Sequence, residues 1–361
     1  MTRFLPIPFV SAAVAAGVVL TLAILTIPPS PQLQPHSSGD SALARTVEQT
    51  ARDEGALDRV SVAYVDLDAA DPTRTAGFGA DDETEFEIGS LTKTFTGNLF
   101  AIAIERGEVT AAETLATVFP KLTGTPVGGV TLASLSNHHS GLPSLDDATT
   151  PQVFLDTVTN RNPYRGTVDD LIDQSGRQQL VAPGHYLYSN LGMSLLGQAL
   201  AERSNLSYSD LVQTRIFDPL HMTHSRIVLD NVERNNLTTG YSAIGIPQEA
   251  WSIAAFAPAG GIRSTIGDMG IYVRALLDGS APGASAMDSH LTGENGAEGY
   301  AWVILDQDTG PTLTLHNGQT GGFASYLVLD RAGNKGAVVL SNTAVQLPNL
   351  VVNLVEKGIT E

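Results

Sequence analysis

The chain has 361 residues, 42% hydrophobic and 16% charged, ample apolar material for a core and too much for a disordered chain. Twenty basic residues against thirty-eight acidic ones leave a formal net charge of −18, which repels phosphate backbones and excludes the footprint of a nucleic-acid binder. There is no cysteine, so disulfide scaffolds, zinc–thiolate sites, Fe–S clusters and cysteine catalysis are excluded.

Residues 1–40 read as a leader and a linker. Arg3 supplies a positive charge, and Phe9 to Ile27 then runs without a charged side chain; about 20 such residues cross a bilayer core. The expectation is an uncleaved anchor over residues 9–27, with Arg3 inside and the remainder extracytoplasmic. Ala42-Leu43-Ala44 has the small-x-small form of a cleavage site, so the alternative is a secreted form beginning near Arg45. Pro29 to Gly39 is polar and rich in Pro and Ser, an extended spacer by composition.

Beyond the linker, Ala42 to Glu54 is polar-helical, and Val60 to Leu67 is β-branched and predicts a strand. Leu91, Phe95, Leu99, Ile102 and Ala103 recur at helical spacing, with Gly107 placed to end the helix. The middle alternates helical patterns and loops to about residue 250. Strand character returns at Tyr300 to Leu305, Thr312 to Leu315, Ser325 to Leu329 and Ala337 to Leu340, and Leu347 to Val355 closes the chain as a helix. Strands at both ends around a helical centre predict an α+β fold whose sheet draws on both ends of the chain. The expected division of 41–361 is a sheet part, 41–85 with 255–361, and an inserted helical part, 86–254.

No G-x-S-x-G elbow, H-E-x-x-H pair, Walker loop or strand-linked G-x-G-x-x-G occurs. His138-His139 points two rings in different directions and reads as loop packing rather than a metal site. Ser90-Leu91-Thr92-Lys93 puts a hydroxyl and an amine on one helical face. A serine is a poor nucleophile until a neighbouring base takes its proton, and burial turns an amine into such a base. The helix N-terminus favours developing negative charge, and Gly89 leaves room for a substrate. As a residue at a helix start, Lys93 is expected to contribute little to packing.

Tyr188-Ser189-Asn190 is the second constellation. A phenol near an ammonium has its pKa lowered and becomes a second proton carrier, while the Asn offers its amide to a carbonyl and to the lysine. His316-Asn317-Gly318-Gln319 is the third, placed after the strand Thr312 to Leu315. An edge strand ending in Gly bonds a peptide-like substrate along its backbone, with the Gln319 N–H as an oxyanion donor.

The order and spacing of these blocks resemble the serine β-lactamase and penicillin-binding-protein superfamily. They are most similar to class C β-lactamases and their D-alanyl-D-alanine carboxypeptidase and esterase relatives. The blocks that carry the resemblance are Phe86 to Lys93, Leu132 to Pro143, Pro183 to Gly197, Ile216 to Met222 and Pro258 to Thr265. The resemblance implies an antiparallel sheet flanked by helices, a helical subdomain and a site in the cleft between them. It implies an acyl-enzyme on Ser90, base and acid roles shared by Lys93 and Tyr188, substrate orientation by Asn190, and an oxyanion hole of the Ser90 and Gln319 N–H groups. It calls for no metal and no organic cofactor. The expected partner is a small-molecule or peptide acyl substrate, foremost a D-amino-acid peptide or β-lactam.

The third motif departs from the class C pattern. His316 stands where K-T-G has its lysine, and Asn317 where it has a hydroxyl. A histidine with a reference pKa of ~6.5 is largely neutral at pH 7, and losing a charge-assisted carboxylate contact costs about 1.5–3 kcal/mol. The expectation is weak β-lactamase turnover, with Arg263 or Arg331 as possible substitutes for the missing cation. An esterase or amidase acting on neutral acyl groups is the alternative. A membrane-tethered binding protein without turnover is a third reading, opposed by the retention of Ser90, Lys93, Tyr188 and Asn190.

Overall fold

The computed structural model describes residues 31–51, 54–145, 155, 161–162, 164, 166–228, 238–293 and 296–360; the apolar stretch 9–27 lies outside them. Among the described residues no helix is long and apolar enough to cross a membrane. Nine strands pair into one sheet, each neighbouring pair antiparallel. In chain order they are β1 (His36–Gly39), β2 (Val60–Asp66), β3 (Thr73–Phe78), β4 (Leu291–Gly293), β5 (Gly296–Glu298), β6 (Val303–Leu305), β7 (Leu313–Gln319), β8 (Ala324–Asp330) and β9 (Lys335–Ser341). They lie side by side as β1-β3-β2-β9-β8-β7-β6-β5-β4. The sheet is therefore drawn from both ends of the chain, as the strand pattern predicts.

The helices that matter for the site are α1 (Ser41–Ala51), α2 (Thr92–Glu105), α3 (Asn190–Ser204), α4 (Ile266–Asp278) and α5 (Pro348–Lys357). β2 shows why the sheet is covered on both faces. Its residues are buried from Val60 to Val65, and alternate side chains point to opposite faces. Val62 and Tyr64 join Leu43 and Val47 of α1 and Leu350, Val351 and Leu354 of α5 in one apolar cluster. Ala63 and Val65 join Met269, Tyr272 and Val273 of α4 in another, which continues into α2 and α3. α2 is buried from Thr92 through Ala103, a helix enclosed on all sides that carries polar as well as apolar side chains into the core. Capping fixes where the others begin. The Asp40 carboxylate accepts from the Ala42 and Leu43 N–H groups ahead of α1, and the Ser189 hydroxyl accepts from Gly192 N–H at the start of α3.

The structure corrects the sequence reading in several places. The spacer ends in a strand: β1 pairs with β3, and the Ser37 and Ser38 hydroxyls both donate to Ala80 O, at 2.7 and 2.9 Å. Tyr300 and Ala301 are not strand. Ala301 has φ +61°, and a Cβ on Gly97 would lie 2.1 Å from Tyr300 O, so this turn docks on α2 where only glycine fits. The hairpin β4–β5 is unanticipated, being short and poor in apolar residues. β7 runs through the third motif instead of stopping before it: His316 to Gln319 pair with β8, whereas β6 covers only Leu313 to Leu315. The motif is thus the C-terminal half of its strand, paired on one side and open along the other edge.

Candidate active site

The nucleophile segment begins with a 3-10 turn, Gly89–Leu91, that leads directly into α2. Gly89 has φ +52°, and a Cβ there would lie 2.7 Å from Gln319 N. The room that Gly89 provides is taken by the backbone of β7, not by a substrate as the sequence suggests. Gly318 makes the same close approach, with Ile88 O 2.0 Å from its would-be Cβ. Two glycines therefore seat β7 against the turn that carries Ser90.

Lys93 is fully buried. It is a core residue, which overturns the expectation of a side chain with little packing. Its Nζ lies 2.9 Å from Ser90 Oγ, 2.8 Å from Asn190 Oδ1 and 2.6 Å from Ala259 O. Burial pushes the amine well below its ordinary pKa. The inventory of donors then orients it. Asn190 Oδ1, held by the bond from Nζ, and Ala259 O can only accept, and a neutral amine has two N–H donors for them. In that neutral form its lone pair would face the Ser90 hydroxyl.

Tyr188 closes the other side of Ser90. Its phenol hydrogen-bonds Ser90, and its ring centroid is 4.9 Å from Lys93 Nζ. The expected lowering of the phenol's pKa is not found. Burial dominates and pushes the tyrosine up despite the serine bond. The phenol thus stays protonated at neutral pH.

Asn190, the first residue of α3, spends Oδ1 on Lys93 and donates through Nδ2 to Ser144 Oγ at 3.3 Å and Tyr164 OH at 3.4 Å. Tyr164 packs between Trp251 and Phe256, with ring centroids 5.2 and 5.1 Å away. Ala259 O is set by the helices beside it. Thr96 Oγ1 of α2 donates to Pro258 O at 2.7 Å, and a Cβ on Gly197 of α3 would lie 2.2 Å from Pro258. Neither Tyr164 nor Ala259 is identified from sequence. Tyr164 has no local motif, and a backbone carbonyl has no side-chain signature.

The third motif divides. His316 is buried on the site's side of β7, whereas Asn317 and Gln319 are exposed. His316 Nδ1 bonds Asn317 O at 2.7 Å, and burial, with Lys93 nearby, lowers its pKa to about 4. The ring is neutral at pH 7. Neither candidate arginine replaces the missing cation. Arg263 is buried against Glu87 Oε1 at 3.1 Å and Trp251 O at 2.9 Å. Arg331 bonds Asp288 and Met287 O. A cavity of about 220 Å³, lined by His138, Tyr186, Glu298, Ala301, Trp302 and His316 among others, adjoins the motif. Among the described residues no group of His, Asp and Glu side chains converges as a metal site.

Ser90, Lys93, Tyr188 and Asn190 thus meet at one point, and Gly318 and Gln319 reach it through their backbone. A family profile described as Beta-lactamase matches residues 44–354. The chain belongs to the beta-lactamase family. Membership makes it a serine hydrolase. This beta-lactamase-family chain is 27% identical over 303 residues to a protein named Beta-lactamase from Escherichia coli (strain K12), covering 72% of this chain and 76% of that one. It is 26% identical over 295 residues to Protein flp of Staphylococcus aureus (strain MRSA252), covering 76% of this chain but 56% of that protein, so it spans little more than half of that relative. A class C beta lactamase structure from Rhodobacter sphaeroides superposes with a TM-score of 0.71 at 22% identity, over 86% of this chain and 96% of that one, a likeness of fold.

Proposed function

We propose that Ser90 is the nucleophile of an acyl-serine hydrolase whose cleft prefers uncharged acyl substrates, esters or amides, to carboxylate-bearing ones. The observation that carries the mechanism is the Lys93 amine, fully buried and bonded to two pure acceptors, with Ser90 Oγ 2.9 Å from its nitrogen. Lys93 takes the hydroxyl proton as Ser90 attacks the substrate carbonyl. Tyr188, hydrogen-bonded to the same serine, hands a proton to the leaving group and is reprotonated by the one Lys93 has taken, so that no phenolate is left behind. The Ser90 and Gln319 N–H groups hold the oxyanion, and water then releases the acyl group from Ser90.

The preference for neutral substrates rests on the third motif. His316 is uncharged at pH 7, Arg263 and Arg331 are committed elsewhere, and the adjoining cavity has Ala301, Trp302 and Val303 in its walls. A D-amino-acid peptide or β-lactam is the second reading, favoured by the similarity to the Escherichia coli protein named Beta-lactamase. The two are separated by labelling wild type and Ser90→Ala with a fluorophosphonate and a fluorescent penicillin. The first reading expects phosphonate labelling that depends on Ser90 and little penicillin labelling; efficient labelling by both supports the second, and labelling by neither refutes both.

We further propose that residues 9–27 tether the hydrolase to a membrane with the cleft outside the cytoplasm. The run of uncharged residues after Arg3 supports this. Fractionation of the full chain tests it: recovery of a soluble form beginning near Arg45 refutes the tether.

A further inference from the structure

We propose that His138 and His139 are positioning residues that clamp the loop bearing Tyr188, so that the phenol meets Ser90; the inference rests on the acyl-serine mechanism above. Each histidine grips the loop twice, once through its carbonyl and once through its ring. His138 O accepts from Leu187 N–H at 2.7 Å, and His138 Nδ1 accepts from Ser189 N–H at 3.2 Å. These bonds hold the residues immediately before and after Tyr188, and the His138 ring lies against the Tyr188 ring at 4.5 Å between centroids. His139 O accepts from Gly184 N–H at 2.8 Å, and His139 Nδ1 donates to Gly184 O at 2.9 Å.

The backbone makes the double grip possible. His138 has φ +60°, a left-handed conformation that turns carbonyl and ring toward the same segment. The clamp is anchored on the sheet, because His139 Nε2 lies 2.9 Å from Glu298 Oε2 of β5, both side chains buried. Tyr188, on the helical side of the cleft, is thereby tied to the sheet that carries His316. The His138 bond requires an unprotonated Nδ1. Burial, together with Lys93, His316 and His139, keeps the ring neutral.

The clamp acts on geometry, and a displacement of about 1 Å at a proton-transfer group costs on the order of 100-fold in rate. The test is steady-state turnover of p-nitrophenyl butyrate by the full chain, with folded fraction and melting temperature measured alongside. His138→Gly keeps the left-handed backbone but removes the acceptor and the ring; kcat is expected to fall about 100-fold with KM within about threefold. His138→Asn tolerates the same backbone and places Oδ1 where Nδ1 was, and is expected to recover kcat to within about fivefold of wild type. Should His138→Gly not fold, the Asn variant decides on its own kcat and KM. The clamp is overturned if kcat falls only with the folded fraction, if both variants stay within about threefold of wild type, or if Asn restores nothing relative to Gly. Ser90→Ala separates the two levels: turnover surviving that change defeats the acyl-serine mechanism itself, whereas its loss alongside indifferent His138 variants defeats the clamp alone.

Discussion

Lys93, at the start of α2, is fully buried with bonds to Ser90, Asn190 and Ala259. On β7, Asn317 and Gln319 are exposed, and the His316 ring bonds the carbonyl of its own neighbour. The chemical end of the cleft is thus part of the core, and its geometry is held by packing that a substitution cannot alter without cost. The recognition end is one strand edge whose side chains can change while the sheet stays intact. Under the proposed function, the reaction and the choice of substrate therefore rest on separate parts of the cleft.

The largest effect should come from breaking the chemical end. Lys93→Met keeps the volume but removes the base, and acylation by a fluorophosphonate should fall by about 10³-fold while the chain still folds, with a lower melting temperature because Asn190 Oδ1 and Ala259 O lose their donor. A loss of labelling matched by a loss of fold would make Lys93 structural. Next is the seam between the two ends. Gly318→Ala forces a Cβ to within 2.0 Å of Ile88 O and should destabilise the fold by about 3 kcal/mol, read from urea unfolding; a neutral result would mean that β7 does not rest on the nucleophile turn.

The recognition end yields smaller effects. His316 titrates at about 4 in the folded protein and near ~6.5 unfolded. Below pH 6.5 the unfolded state binds the extra proton, so stability contributed by the neutral ring is present at pH 7 and lost as pH falls toward 4. Relative to His316→Gln, wild type should lose about 2 kcal/mol between pH 7 and pH 5, and parallel pH curves would show that the ring is not desolvated. Finally, His316→Lys should raise penicillin acylation relative to ester turnover by about tenfold. An unchanged ratio would mean that charge at this position does not select the substrate.

Sequence alone reveals the sheet's two-ended origin and the shared helical face of Ser90 and Lys93, because strand patterns and motif spacing are local signals; that Tyr188 and Asn190 join them is what the family resemblance implies. It misplaces the start of β6, where the left-handed turn at Ala301 docks on Gly97, since a tertiary contact overrides the strand propensity of Tyr300 and Trp302. It reads the Lys93 amine as a base made by burial, but misjudges how far Lys93 is packed and which way the Tyr188 phenol shifts, because neither the all-round burial of α2 nor the enclosure of the phenol is visible from charge spacing. His138 and His139 read correctly as loop packing, but which loop they hold depends on a left-handed residue and on backbone groups that carry no sequence mark.

The most direct measurement is intact-mass spectrometry with peptide mapping after rapid quenching of p-nitrophenyl butyrate turnover. The account predicts a butyryl adduct on Ser90 in wild type, greatly slowed in Lys93→Met. An adduct on another residue, or one that forms on Ser90 at an undiminished rate without Lys93, would contradict it.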